Sequence, residues 1–217
     1  MKIARTSFLI VLTLAGSALI VYQLFFTNPT VLCADLIPKP RIVAFGDSLV
    51  AGSGAPEGSG LVDILSSTTQ VPIQNMGVAG NTTEDGLARV QELLDVRPDM
   101  VILLLGGNDA LRKVPLAQTT ANLDSILKTV SDEGINIVLL APPGGLLRDP
   151  YAQVYKTLAK KYSTELVPNV LSGILGRSEF MSDTVHPNSR GYKKMSEKVL
   201  PALNRACNTY ATTVGGS

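Results

Sequence analysis

Tryptophan is absent from this 217-residue sequence, histidine occurs once and cysteine twice. The lone histidine, His186, excludes any metal site built from several imidazoles. Two cysteines exclude both a disulfide-rich scaffold and a four-cysteine zinc site. Neither sign of charge is in excess: 19 Lys+Arg against 18 Asp+Glu leave +1. That gives no basic footprint of the kind nucleic-acid phosphates require. Charged residues make up only 17% and apolar ones 45%, which is far too apolar for intrinsic disorder. What is left is one globular domain with a substantial core, plus a segment that lifts the mean hydropathy to +0.23. Any imidazole chemistry runs through His186.

The N-terminus carries that segment. Lys2 and Arg5 form a positive flank over residues 1–5, and no charge follows until Asp35. Residues 6–26 (from Thr6 to Phe26) match the roughly 20 residues that a helix needs to cross a bilayer. The flank is expected to stay in the cytoplasm and the rest of the chain to be exported. Gly16-Ser17-Ala18 offers a small-x-small cleavage site, but cutting there leaves LIVYQLFF at the new terminus. An uncleaved anchor in the cytoplasmic membrane is therefore favoured over a cleaved signal and a secreted product. Residues 27–40, with Pro29, Pro38 and Pro40, read as a linker. Export places Cys33 and Cys207 in an oxidising compartment, where they are either bridged, since chain termini are often close in space, or two unpaired small hydrophobes.

From Arg41 onward strands and helices alternate. Ile42–Gly46, Pro72–Gly77, Met100–Gly107, Ile135–Pro143 and Thr164–Asn169 read as strands, the third apolar on both faces and so central. Between them lie helices marked by Leu61, Ile64 and Leu65; by Leu87, Val90, Leu93 and Leu94 behind a Thr82 cap; by Leu123, Ile126, Leu127 and Val130; and by Tyr151 to Tyr162. A last helix spans Asn188 to Ala206, with residues 207–217 as a C-terminal tail. This is an α/β domain, residues 41–206, with a five-stranded parallel sheet and helices on both faces. Ligands in such sheets sit beyond the carboxyl ends of the strands. The residues found there are Gly46-Asp47-Ser48, the run Gly77 to Asn81, Gly106-Gly107-Asn108-Asp109 and Pro142-Pro143-Gly144-Gly145.

Those strand ends hold the parts of a nucleophilic mechanism. Ser48 needs a base to take its proton, and His186 is the only histidine. Asp183, three residues before it, is spaced to reach the imidazole Nδ1–H and hold the tautomer. The N–H groups of Ser48 and Gly80 and the side-chain amide of Asn108 are candidate oxyanion donors. Singly each residue has an ordinary role: a serine after a strand usually caps a helix, and an asparagine after Gly-Gly usually sits in a turn. The signal is that they occur together, at strand ends that the fold brings together.

The blocks FGDSLVAG (Phe45 to Gly52), GVAGNTT around Gly80, GGND (Gly106 to Asp109) and DTVHP (Asp183 to Pro187) resemble the four signature blocks of the SGNH, or GDSL, hydrolases. The stretch GNTTEDGLARVQELL is similar to the branch of bacterial multifunctional esterases that includes thioesterase I/lysophospholipase and arylesterases. The resemblance implies a flavodoxin-like three-layer α/β/α fold and no metal or cofactor. It implies Ser48 as nucleophile, His186 as base, Asp183 as its partner, and Gly80 and Asn108 completing the oxyanion hole with Ser48.

Three functions compete. The first is a serine esterase or thioesterase acting on lipid-like acyl, lysophospholipid or aryl esters, with Leu49, Val50, Leu111, Leu146 and Leu147 available to an acyl chain. The second is a carbohydrate O-acetylesterase, which the low aromatic content disfavours. The third is a catalytically idle binding module, which the intact Ser48, Asp183 and His186 set disfavours. GSGAPEGSG (Gly52 to Gly60) has neither dinucleotide nor P-loop spacing and reads as a loop rimming the serine. The sequence is silent on oligomeric state.

Overall fold

The computed structural model describes residues 33–143 and 150–214. The expected membrane segment, residues 6–26, lies outside the described residues, as do Leu146 and Leu147. Among the described residues no helix is long and apolar enough to cross a membrane.

Five short apolar runs make one parallel sheet: β1 (Ile42–Gly46), β2 (Ile73–Gly77), β3 (Met100–Leu104), β4 (Asn136–Leu140) and β5 (Glu165–Val167), in the order β2-β1-β3-β4-β5. This is the order of flavodoxin-like doubly wound sheets, with the topological switch between β1 and β3. β1 and β3 are buried at every residue, as their unbroken apolar sequence requires, whereas β2 is an edge strand with exposed Gln74 and Asn75.

Strand side chains alternate between two cores, as a period of two dictates. Ile42, Ala44, Met100, Ile102 and Leu104 face helices α2 (Leu61–Thr69) and α8 (Ser189–Val214). Val43, Phe45, Val101, Leu103 and Leu105 face α4 (Val90–Asp95), α6 (Leu116–Asp132) and α7 (Pro150–Lys161). Helices therefore cover both sides of the sheet.

Two elements depart from the sequence reading. The helix expected from the Thr82 cap is split into α3 (Thr83–Ala88) and α4 at Arg89, whose backbone leaves helical geometry (φ −111°, ψ 13°). The last helix does not stop at Ala206. It runs to Val214, because Ala206, Cys207 and Tyr210 continue the apolar face that begins with Tyr192, Met195, Val199 and Leu203. Cys207 is thus in a helix, and it is disulfide-bonded to Cys33 across 174 positions of sequence.

Candidate active site

Two very short helices complete the switch point. α1 (Ser48–Ala51) starts directly after β1, and α5 (Gly107–Leu111) starts just after β3. Asp47 is the N-cap of α1: its carboxylate accepts the Leu49 N–H at 2.9 Å. The cap fixes Ser48 as the first helical residue, where a backbone N–H has no partner within its own helix. Asp47 is only 2% exposed. Burial pushes its carboxyl up to about 6, against the opposing pull of the Leu49 N–H and of His186.

The three residues expected to act together do meet. His186 Nε2 lies 3.0 Å from Ser48 Oγ, and His186 Nδ1 lies 2.7 Å from Asp183 Oδ2. The other Asp183 oxygen accepts the N–H groups of Val185 and His186 at 2.8 and 2.7 Å. The His186 hydrogen bond and these two N–H groups hold the Asp183 carboxyl down at about 2, so it stays ionised wherever the protein is near neutrality. A carboxylate fixed in this way keeps the imidazole ring oriented and stabilises its charged form.

The expected oxyanion donors surround the same space. Gly80 stands in the turn after β2 with φ +85°, a conformation that a side chain would strain. Its carbonyl accepts from Arg112 Nη2 at 2.9 Å. Asn108 donates one amide hydrogen to the Asn81 carbonyl at 2.9 Å; a primary amide has a second to give. Its neighbour Asp109, fully buried, accepts from the Thr83 N–H at 2.9 Å, the Thr83 hydroxyl at 2.5 Å and the Thr119 hydroxyl at 3.1 Å. The GGND and GNTT blocks are therefore cross-linked at two successive residues, which fixes the Asn108 amide relative to Gly80.

Ser48, Gly80, Asn108 and His186 line one cavity of about 430 Å³. Most of its wall is apolar: Leu49, Ala110, Leu111, Pro142, Leu171, Leu175 and Val185 among others. Of the apolar residues anticipated from sequence, Leu49 and Leu111 are in that wall, and Leu111 is 62% exposed at its rim. Val50 is not: it is fully buried in the core between the sheet and α8. Leu171 and Leu175 come from the stretch Pro168 to Phe180, a loop of the kind expected to line the cleft; the stretch is irregular and without periodicity, so the sequence does not single these two residues out. Ser53 of the glycine-rich loop also lines the cavity. Gly54 explains how that loop comes so close: a Cβ there would stand 2.7 Å from the Pro187 carbonyl and 2.8 Å from His186 Cβ. Among the described residues no cluster of His, Cys, Asp or Glu is placed to hold a metal ion.

A family model described as the GDSL-like Lipase/Acylhydrolase family matches residues 44–194, the span that holds every residue of this site. The chain belongs to that family. Among relatives of this GDSL chain, an arylesterase of Vibrio mimicus is 31% identical over 175 residues, covering 75% of this chain and 88% of its own. Esterase TesA of Pseudomonas aeruginosa is 32% identical over 185 residues, covering 80% and 92%. The Escherichia coli thioesterase 1/protease 1/lysophospholipase L1 is 30% identical over 156 residues, covering 68% and 75%. The crystal structure of TesA superposes with a TM-score of 0.70 at 31% identity, covering 76% of this chain and 99% of that one. This GDSL chain is a carboxylic ester hydrolase.

Proposed function

We propose that the enzyme cleaves carboxylic esters and thioesters of apolar acyl groups through a Ser48 acyl-enzyme. The observation that carries this reading is the unbroken relay from Ser48 Oγ through His186 to Asp183, opening into an apolar cavity. His186 Nε2 takes the Ser48 proton as Oγ bonds to the acyl carbon, and Asp183 stabilises the imidazolium. The Ser48 and Gly80 N–H groups and the free Asn108 amide hydrogen receive the oxyanion. The carbon–oxygen or carbon–sulfur bond breaks, and the His186 proton passes to the leaving group. Water, deprotonated by His186, then releases the acid and regenerates Ser48.

Lipid-like acyl, lysophospholipid and aryl esters are the substrate class that suits the cavity wall, and the names of the relatives support the same class. A carbohydrate deacetylase would need a small acyl pocket with a polar rim, which Leu111, Leu171 and Leu175 do not make. The hydrolase domain, expected over residues 41–206 and continued by α8 to Val214, works outside the cytoplasm, held to the cytoplasmic membrane by residues 6–26. The Cys33–Cys207 disulfide supports the export part of this reading, since such bonds persist in oxidising compartments.

The test is a series of p-nitrophenyl esters from acetyl to palmitoyl with the full chain and with Ser48→Ala. Turnover that rises beyond acetyl and vanishes in the variant is expected. Full activity in Ser48→Ala overturns the nucleophile assignment. Turnover of acetyl esters alone overturns the substrate class and favours the deacetylase.

A further inference from the structure

We infer that Arg89 is a positioning residue for the oxyanion donors, a strut tying the serine turn to the Gly80 loop; this rests on the oxyanion assignment proposed above. Arg89 is the residue at which the α3–α4 helix breaks, and it is half-buried. Its Nη2 donates to the Gly46 carbonyl at 2.8 Å, and its Nε donates to Asn81 Oδ1 at 2.6 Å. The guanidinium carbon lies 4.0 Å from the centre of the buried Phe45 ring.

Both hydrogen bonds lead to oxyanion donors. Gly46 closes β1 two residues before Ser48, so fixing its carbonyl fixes the turn that aims the Ser48 N–H. Asn81 follows Gly80 directly, so holding its side chain restrains the turn in which the Gly80 N–H is presented. The Asn81 carbonyl is also the acceptor that orients the Asn108 amide. One guanidinium is therefore within a residue or two, or one hydrogen bond, of all three donors, although it touches none of them. A planar fork with fixed donor directions can hold two acceptors while lying flat on a ring; a lysine ammonium cannot do all three. Donor placement matters in this chemistry because a misplacement of about 1 Å costs on the order of 100-fold in rate.

A strut that serves only stability predicts something different from one that serves the donors. The decisive experiment is a double-mutant cycle in the full chain: Arg89→Met, Asn108→Ala and both together, with kcat and KM measured on a p-nitrophenyl ester and normalised to folded protein. Asn108→Ala is expected to lower kcat about 100- to 1000-fold, as loss of an oxyanion donor does. Arg89→Met is expected to lower kcat about 10- to 100-fold with KM within about twofold. The double variant is expected to lose less than the product of the two single losses, because the part of the Arg89 effect that runs through the Asn108 amide is already gone, while the part that runs through the Ser48 and Gly80 N–H groups remains. Asn81→Ala removes only the Nε acceptor, so it should lower kcat in the same direction by less, and it gives the readout if Arg89→Met does not fold. Wild-type kcat in folded Arg89→Met and Asn81→Ala, or losses that multiply in the cycle, overturns the strut while leaving the oxyanion hole standing. An unchanged kcat in Asn108→Ala overturns the oxyanion assignment and the strut with it.

Discussion

Replacing Asp47 by asparagine should stabilise this enzyme above about pH 6 and change its stability little near pH 4. In the folded protein the Asp47 carboxyl is 2% exposed and titrates at about 6, mainly because burial disfavours its charged form. In the unfolded chain it titrates near its ordinary value of 3.8. Between those two values the folded state holds a proton that the unfolded state has lost, so stability falls as pH rises through that window. The difference of about 2 units corresponds to about 3 kcal/mol once the pH is above 6. Asparagine carries no charge to bury, and as an N-cap it ranks with aspartate, so the hydrogen bond from the Leu49 N–H survives. Asp183 works in the opposite sense: its carboxyl is held down at about 2, so its contribution is present above 3.8 and lost as the pH falls. Because Asp183 is present in both proteins, it cancels in the comparison. Urea unfolding of the full chain and of Asp47→Asn at unit steps from pH 4 to pH 8 reads the difference directly. The variant should gain up to about 3 kcal/mol between pH 4 and pH 7, with an unchanged denaturant slope. A difference that does not change with pH would refute the claim that an ionised, buried Asp47 strains the native state. The same variant should be a poorer catalyst, since it removes a negative charge that favours the His186 imidazolium, a stability–activity trade-off.

Three further outcomes follow from the geometry. Gly54→Ala forces a Cβ into the Pro187 carbonyl and His186 Cβ at a backbone φ of +90°; it should cost about 1–2 kcal/mol of stability, and kcat should fall as His186 moves, which unfolding curves and single-turnover rates on folded protein will report. Leu175→Trp fills part of the apolar cavity; the ester series should shift toward shorter acyl chains, and an unchanged profile would mean that the acyl group lies elsewhere. Replacing Cys33 and Cys207 by serine opens a covalent loop of 174 positions; the chain-entropy account puts the loss near 5 kcal/mol. Because Cys207 lies roughly 27 Å along α8 from Ser189, kcat of the folded fraction should not change.

The parts legible in the sequence are those where a single force dominates. β1, β3 and β4 stand out because a strand stretch buried on both faces must be apolar throughout: Val101, Ile102, Leu103 and Leu104 leave no alternative, and in β4 only the half-buried first residue, Asn136, is polar. Ser48, Asp183 and His186 are readable because this chemistry restricts residue type, and because there is only one histidine to choose. The break at Arg89 is not readable: Leu87, Val90, Leu93 and Leu94 keep the spacing of one continuous helix, and the acceptors that hold the Arg89 side chain lie on β1 and the Gly80 loop, outside the helix pattern. The length of α8 is hidden for a related reason. Cys207 and Tyr210 extend its apolar face, but a face is recognisable only when the surface it packs on is known. Leu171 and Leu175 have no period to betray them; their position in the cavity wall is a tertiary fact.

Since Cys33 and Cys207 are joined, residues 33–207 form a covalent ring. A single backbone cut anywhere inside it leaves the two pieces attached. The ring closes on α8, the helix that begins just after His186, so the fold is locked at the helix that follows the catalytic loop.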